Sequence, residues 1–105
     1  MQPTSYLQDG MLTIVLDGEI DHHCAKHYIQ SITAKIEAYT PQICVLDFQE
    51  VTFMDSSGIA VVINALRNMG KIDGKLELVG LQHQPMKVFR ASGVDKLITI
   101  KEVVK

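Results

Sequence analysis

The feature of this chain that most constrains its fold is a short apolar run near its middle, Ile43-Cys44-Val45-Leu46-Asp47-Phe48. Its β-branched residues favour a strand. Because nearly every position in the run is apolar, we expect this strand to be buried on both faces, as strands are in a parallel or mixed sheet. The dipeptide Thr40-Pro41 lies just before it and is expected to end a preceding helix.

A β-hairpin is predicted at the start of the chain. Tyr6 and Leu7 lead into Asp9-Gly10, a dipeptide typical of tight hairpin turns. The segment Leu12–Asp17 then alternates between residues that face the core and residues that face away from it, with the period of a strand. We expect Gly18 to end this second strand.

Three helices are predicted from apolar positions that recur three and four residues apart. The first begins after Asp21, a suitable N-cap. The second runs from Gly58 to about Lys71, and the third begins at Pro85 and stops at Gly93. The inward positions are Ala25, Tyr28, Ile29, Ile32 and Ile36 in the first helix, Ile59, Val62, Ile63, Leu66 and Met69 in the second, and Met86, Val88 and Phe89 in the third.

Two further strands complete the pattern, Leu76–Val79 after the turn Asp73-Gly74 and Leu97–Ile100 near the end. The resulting order is β-β-α-β-α-β-α-β. Strands that alternate with helices predict an α/β fold with a mixed, mostly parallel sheet, in which the hairpin is the antiparallel part. We expect one domain over residues 1–105, with the helices packed mainly on one face of the sheet.

Composition and charge exclude several function classes. Hydrophobic residues make up 47% of the 105-residue chain, enough for a core, and the formal net charge of −2 argues against nucleic acid or an anionic membrane held by bulk electrostatics. No window approaches the roughly 20 apolar residues of a membrane-spanning helix. The first residues lack the basic and apolar regions of a secretion signal, which favours a cytoplasmic protein.

The cysteines and histidines do not form a recognisable metal site. Cys24 and Cys44 fall in different predicted elements and form no CxxC pair, so we expect two free, buried thiols in a reducing compartment. His22-His23, Cys24 and His27 are close in sequence, but no second cluster supplies the remaining ligands. No metal or other cofactor is predicted.

The segment Asp55-Ser56-Ser57-Gly58 lies between a strand region and a helix start. Asp and Ser are preferred N-cap residues, so the simplest interpretation is helix capping, with Gly58 present for backbone freedom. Three capping-type residues in a row are more than one cap needs, however. A hydroxyl at a helix N-terminus is also well placed to carry a phosphate, because exposed N–H groups and the helix dipole favour an anion there.

Three segments carry a family resemblance that, with the element order, covers nearly the whole chain: Gly18-Glu19-Ile20-Asp21-His22-His23, Val51–Ile59 and Val88–Val94. They resemble the STAS domain, and within it the bacterial anti-sigma factor antagonists of the sporulation type. The double-His form of the first segment is the most specific pointer to the sporulation branch. The second segment is shared with antagonists of general-stress sigma factors.

The resemblance implies a STAS fold and a partner-switching cycle in transcription regulation. In that family the hydroxyl residue directly after the Asp is the phosphoacceptor, which corresponds to Ser56. The unphosphorylated antagonist binds an anti-sigma factor that is also an ATP-dependent serine kinase, and the sigma factor is released. Phosphorylation then ends the binding, and a PP2C-type phosphatase with its own metal ions resets the cycle. We expect a monomer or weak dimer with no direct nucleic-acid or membrane partner.

The residues expected to form the partner-binding surface are Asp21, His22, Met54, Asp55, Ser56, Ser57, Gly58 and Ile59. Asp21 suits both a helix cap and an acidic neighbour of Ser56. Met54 is either an apolar anchor for the partner or a core residue, and the core is preferred. Ser57 is either a cap or a secondary hydroxyl, and the cap is preferred.

Other functions fit the sequence less well than this one. His22 or His23 beside a serine would suit a Ser-His hydrolase, but the chain lacks the Gly-x-Ser-x-Gly elbow and leaves little room for an enclosed pocket, so no enzymatic activity is predicted. It also lacks a nucleotide phosphate loop. Two binding roles stay open: an accessory subunit of a transporter or lipid-export complex, whose members often lack a phosphoacceptor, and a stress-signalling scaffold that assembles into large particles.

Overall fold

A computed structural model of the protein describes residues 4–102. One five-stranded sheet has its strands in chain order. The strands are β1 (Thr4–Gln8), β2 (Met11–Ile20), β3 (Ile43–Met54), β4 (Lys75–Val79) and β5 (Thr99–Lys101), and the helices are α1 (His22–Tyr39), α2 (Ser56–Lys71) and α3 (His83–Ser92), followed by a short 3₁₀ turn, Val94–Lys96. The order confirms the predicted β-β-α-β-α-β-α-β pattern.

The sheet is mixed and mostly parallel, as predicted. β1 pairs with β2 antiparallel, and the other three pairings are parallel. Helix α2 packs against α1 and also contacts α3, so the three helices lie on the same face of the sheet. The strand residues under the helices are buried: Leu12, Ile14, Leu16, Cys44, Leu46, Phe48, Leu76 and Leu78.

The hairpin between β1 and β2 turns where the sequence predicted. Asp9 and Gly10 both have positive φ, at 53° and 79°, which is the backbone of a type I′ turn. Gln8 is therefore the partner of Met11 in the hairpin. In this register the side chains of Leu12, Ile14 and Leu16 lie in the core.

The prediction that Gly18 ends β2 was wrong. The strand continues to Ile20, and Gly18 adopts a positive φ of 71° within it. The pairing with β3 shifts register twice here, between Val15 and Asp17 and between Gly18 and Glu19. A glycine that looks like a stop signal therefore lies in an irregular, bulged part of the strand, where its freedom at positive φ is used.

Strand β3 also extends beyond its predicted end at Phe48. It runs to Met54, because β2 accompanies it along its whole length. The polar residues Gln49 and Glu50 hid this extension in the sequence, and both are exposed. At the other end of the sheet, β5 begins at Thr99 rather than at Leu97, whose side chain is exposed.

Helix α2 starts earlier than predicted, and the side chains it buries differ in part from the predicted inward residues. It begins at Ser56 instead of Gly58, because Asp55 is its cap. Its fully buried side chains include Val61, Val62, Ala65 and Met69, whereas the predicted inward residues Ile59, Ile63 and Leu66 are half-buried. The helix packs on the sheet and against both neighbouring helices, so its apolar surface is wider than a single stripe.

A polar contact joins α1 and α2 within this packing. Asn68 is buried on the inner side of α2 and donates through Nδ2 to Thr33 Oγ1 and to Asn64 Oδ1, each at 3.0 Å, and the Thr33 hydroxyl donates to Asn64 Oδ1 at 3.0 Å. Because these groups satisfy each other, Asn68 can take a position where the sequence pattern predicted only apolar residues.

Helix α3 is fixed to β3 by an aromatic pair. Phe89 is fully buried, and its ring forms a T-shaped pair with the ring of Phe48, with centroids 5.9 Å apart and an interplanar angle of 81°. The helix begins at His83, so Pro85 lies within its first turn instead of opening it. Gly93 ends it with a φ of 81°, as predicted.

Candidate functional site

The N-termini of α1 and α2 lie side by side at one edge of the sheet. Parallel strands β2 and β3 end together at Ile20 and Met54, which are ladder partners. The next residue after each strand is a helix cap, Asp21 for α1 and Asp55 for α2. The backbone N–H of Asp55 donates to the carbonyl of Ile20 at 3.1 Å, which extends the pairing into this edge.

Asp55 is the residue that caps α2. Its backbone is extended, and its Oδ1 accepts a hydrogen bond from the Ser57 N–H at 2.8 Å. Its carbonyl accepts from the Gly58 N–H at 3.0 Å. The preferred assignment of Ser57 as the cap was therefore wrong: Ser57 is the second residue of the helix, and its N–H is the group being capped.

Ser56 is the first residue of α2, and its side chain is exposed. It follows the cap directly, at the end of the helix where N–H groups have no partner within the helix and the dipole is positive. A phosphate on this exposed hydroxyl would lie at the positive end of the α2 dipole and would not disturb the buried face of α2.

Gly58 and Met54 form a close contact beneath Ser56. Both are buried, and Met54 is completely inaccessible to solvent. A Cβ atom at Gly58 would collide with Cγ and Sδ of Met54. Met54 is thus a core residue, as preferred from the sequence, and it can influence a partner only through the shape of the surface above it.

The exposed apolar residue at this edge is Phe53, which the sequence prediction did not assign to the partner surface. Phe53 is 43% exposed, whereas the assigned Ile59 is half-buried against the core. Strand alternation cannot predict this, because Phe53 pairs with Glu19 just after a register shift. A bulge changes which side chains face outward.

His22 and His23 are exposed in the first turn of α1, with ring centroids 4.0 Å apart. Within residues 4–102, no group of three His, Cys, Asp or Glu side chains is arranged to hold a metal ion. Both cysteines are free thiols. Cys44 is buried and burial raises its pKa to about 12, while Cys24 is only half-buried and its Sγ donates to the Glu19 carbonyl at 3.3 Å.

The two chain segments that lead into this edge are acidic in sequence. The segments 17–21 and 47–55 carry the carboxylates of Asp17, Glu19, Asp21, Asp47, Glu50 and Asp55, and residues 1–25 and 36–66 contain no Lys or Arg. Partial desolvation of Asp21 raises its pKa, but hydrogen bonds from the backbone N–H groups of His23 and Cys24 outweigh this, and the pKa lies below its usual value. Asp21 is therefore a carboxylate at neutral pH.

Two glutamine side chains from the start of α3 hold the part of β3 that leads into this edge. Gln84 Oε1 accepts from the Met54 N–H at 2.8 Å, and Gln84 Nε2 donates to the Met54 carbonyl at 2.9 Å. Gln82 Nε2 donates to the Gln49 carbonyl at 2.7 Å. No sequence signal predicts these contacts, since glutamine near a helix start is ordinarily a solvated residue.

The capping aspartates and Ser56 lie apart from two clefts of the described structure. Two of the clefts in the structure lie elsewhere, one along the outer side of α1 and one between α3 and β5, and neither is lined by Asp21, Asp55 or Ser56. Among the described helices, none combines the length and apolar character needed to cross a membrane.

Comparisons with known proteins identify the family of this chain. The family model for the STAS domain matches residues 2–105. The anti-sigma F factor antagonist of Lysinibacillus sphaericus is 31% identical over 83 residues, which cover 79% of this chain and 71% of that protein. The anti-sigma-B factor antagonist of Listeria monocytogenes is 28% identical over 95 residues, with coverage of 88% and 80%.

The fold has close counterparts among solved structures. The anti-sigma factor antagonist SpoIIAA in its unphosphorylated form superimposes with a TM-score of 0.84 at 24% identity, over 98% of this chain and 89% of that one. The Bacillus SpoIIAA in its phosphorylated form gives a TM-score of 0.76 at 24% identity, over 98% and 92%. These two similarities support the fold.

Proposed function

Since the chain belongs to the STAS domain family and to the anti-sigma factor antagonists within it, we propose that it is a switch controlled by phosphorylation of Ser56. In its unphosphorylated form it binds an anti-sigma factor that is also a serine kinase, and the sigma factor is released. The kinase then phosphorylates Ser56, the antagonist dissociates, and a PP2C-type phosphatase removes the phosphate. The chain itself is a binding protein and not an enzyme.

The position of Ser56 is the observation that carries the proposal. Its side chain is exposed at the first position of α2, directly after the Asp55 cap, on the edge that also holds Asp21. A kinase can reach such a hydroxyl without unfolding the domain. Ser57 is half-buried, so it is the less accessible of the two serines.

Phosphorylation would end binding by electrostatics at the interface. A phosphate adds about −1.5 to −2 charges at neutral pH. These charges would join the carboxylates of Asp21 and Asp55 on an edge whose own segments contain no Lys or Arg. A partner that matches the unphosphorylated surface would have to desolvate or repel the added anion. Each ~1.4 kcal/mol of that cost weakens binding tenfold.

The fold need not rearrange for this switch to work. The helix N-terminus favours the phosphate locally, so the modified serine is compatible with α2 as it stands. The effect would therefore lie mainly in the interface, which we propose is formed by exposed or partly exposed residues at this edge: Asp21, His22, Phe53, Asp55, Ser56, Ser57 and Ile59. Met54 and Gly58 would shape that surface from below.

The sporulation branch is the more specific proposal. It rests on the double-His segment Gly18–His23 and on the similarity to the sigma-F antagonist of Lysinibacillus sphaericus. The similarity to the sigma-B antagonist of Listeria monocytogenes favours the general-stress branch, and only binding to the cognate anti-sigma factors separates the two. We propose a cytoplasmic location, as a partner of transcription regulators requires, and a monomer or weak dimer.

The site assignment is tested by incubating the full chain with its cognate anti-sigma kinase and ATP, followed by mass spectrometry. We expect one phosphopeptide that contains Ser56. The variant Ser56→Ala should lose it, and the matched control Ser57→Ala should keep it. Phosphate found only on Ser57, or no phosphate on the wild type, would overturn the proposal.

A further inference from the structure

Strand β3 is longer than its neighbour β4, and the difference lies next to Ser56. β4 pairs with β3 only from Ile43 to Asp47, whereas β2 accompanies β3 as far as Met54. On the β4 side, residues 48–54 therefore have no β4 backbone beside them. The backbone polar groups that point to that side need other partners, because an unpaired buried N–H or C=O is costly.

At Met54 these partners come from one side chain of helix α3. The amide of Gln84 accepts from the Met54 N–H at 2.8 Å and donates to the Met54 carbonyl at 2.9 Å. Only one orientation of an amide group satisfies both, with the oxygen toward the N–H and the nitrogen toward the carbonyl. Gln84 thus does for Met54 what a residue of a neighbouring strand would do.

The position of Met54 gives this contact its importance. Its backbone is bound by Gln84 on one side and is paired with Ile20 of β2 on the other. Its side chain packs under Gly58 of α2. Met54 is also the last residue of β3, directly before the Asp55 cap. The position at which the chain passes from β3 into α2, and with it the position of Ser56, therefore depends on how firmly Met54 is held.

We propose that Gln84 is a positioning residue for the phosphoacceptor: by binding both backbone groups of Met54, it fixes where Asp55 and Ser56 lie at the partner surface. This inference rests on the function proposed above, with Ser56 as the acceptor. Gln84 acts through Met54, and phosphoryl transfer depends on the alignment of the accepting oxygen. Helix α3 is thereby part of the switch.

Gln82 provides a matched comparison within the same turn. Its side chain also binds the β3 backbone, but at Gln49, well before the switch segment. If these glutamines only attach α3 to the sheet, replacing either one should have the same consequence for Ser56. If Gln84 positions the acceptor, only its replacement should affect phosphorylation at Ser56.

The test compares Gln84→Met with Gln82→Met in the full chain, since methionine keeps the length of the side chain and removes its hydrogen bonds. The rate of phosphate transfer to Ser56 is measured with the cognate anti-sigma kinase and ATP. We expect Gln84→Met to lower kcat/KM about tenfold, with most of the loss in kcat, as the removal of two hydrogen bonds predicts. Gln82→Met should stay close to the wild type.

Amide hydrogen exchange gives a second readout that does not need the kinase. In Gln84→Met we expect the amides of Met54 and Ser57 to exchange about tenfold faster, because local opening becomes easier once two hydrogen bonds are gone. The amides of Leu46 and Leu78 in the β3–β4 ladder should keep their wild-type exchange. Gln82→Met should leave Met54 protected.

Three outcomes overturn the inference. The first is normal phosphorylation of Gln84→Met, and the second is an equal loss in both variants with faster exchange throughout the sheet, which indicates general destabilisation. If Gln84→Met fails to fold, Gln84→Glu replaces it, because the carboxylate keeps the size and loses the donor, and the same comparison applies. The third is a wild type that is not phosphorylated on Ser56, which overturns the proposed function together with this role.

Discussion

The backbone N–H of Asp55 donates a hydrogen bond to the carbonyl of Ile20, 3.1 Å away. This contact ties the residue that caps α2 to the last residue of β2, which itself precedes the cap of α1. Two helix N-termini and two capping carboxylates therefore share one edge of the sheet, and Ser56 is exposed on it.

The first prediction concerns the identity of the α2 cap. Asp55→Ala removes the carboxylate that accepts from the Ser57 N–H. The free energy of unfolding should fall by about 1 kcal/mol, the usual value of an N-cap side chain. Chemical denaturation with urea measures it. Ser57→Ala is the control, and it should change stability far less. A larger loss in Ser57→Ala than in Asp55→Ala would contradict the assignment of the cap.

The second prediction concerns the contact between Gly58 and Met54. Gly58→Ala adds a Cβ that collides with the buried Met54 side chain, so we expect a loss of about 1–3 kcal/mol, the usual cost of overpacking. Combining it with Met54→Ala should give a total loss smaller than the sum of the two single losses, because the shorter side chain makes room. Thermal unfolding of the three variants tests this.

Gly70 offers the matched control for Gly58→Ala. It lies in the same helix, its φ is not positive, and a Cβ there meets nothing within 4 Å. Gly70→Ala should therefore be neutral or slightly stabilising, since alanine is the better helix former. Equal losses at both positions would mean that the cost arises from the helix backbone and not from Met54.

The third prediction concerns stability at low pH. The pKa of Asp21 is lowered in the folded chain, so the folded state holds its proton less tightly than the unfolded state does. Its contribution to stability is thus present above the unfolded pKa of about 3.9 and is lost as the pH falls through the lower, folded value. Asp21→Asn keeps a capping side chain without this titration.

We therefore expect the wild type to lose more stability than Asp21→Asn between neutral pH and about pH 3, the range in which aspartate is protonated. Thermal unfolding of both proteins at matched ionic strength provides the comparison. Identical pH profiles would contradict the account of Asp21 as a hydrogen-bonded carboxylate. The hydrogen bonds from the N–H groups of His23 and Cys24 to Asp21 would then stabilise the fold equally whether or not the Asp21 side chain is charged.

Much of the fold was predictable because its local signals agree with its tertiary structure. Asp9-Gly10 specified the hairpin, Asp21 the start of α1 and Gly93 the end of α3, and each prediction was confirmed. These are positions where a single residue type satisfies a backbone requirement of its own neighbourhood. The sequence alone is sufficient there, since no distant partner decides the outcome.

The wrong predictions concern positions whose structure is decided by contacts with residues distant in sequence. Gly18 resembles a strand end, but pairing with β3 carries β2 past it. The same pairing extends β3 through its exposed polar residues Gln49 and Glu50 to Met54. The contact of Gln84 with Met54 joins residues thirty positions apart and follows from the shortness of β4, which no local pattern encodes. Asn68 is buried for a similar reason, because Thr33 on α1 completes its hydrogen bonds.

The proposed switch predicts a loss of affinity on phosphorylation, and calorimetric titration measures it most directly. The full chain, unphosphorylated and phosphorylated on Ser56, is titrated into its cognate anti-sigma factor. We expect binding to weaken by at least about a hundredfold on phosphorylation, corresponding to an interface cost of several kcal/mol, and the difference to shrink at high salt. Equal affinity of the two forms would contradict the proposal that phosphate on Ser56 controls this surface.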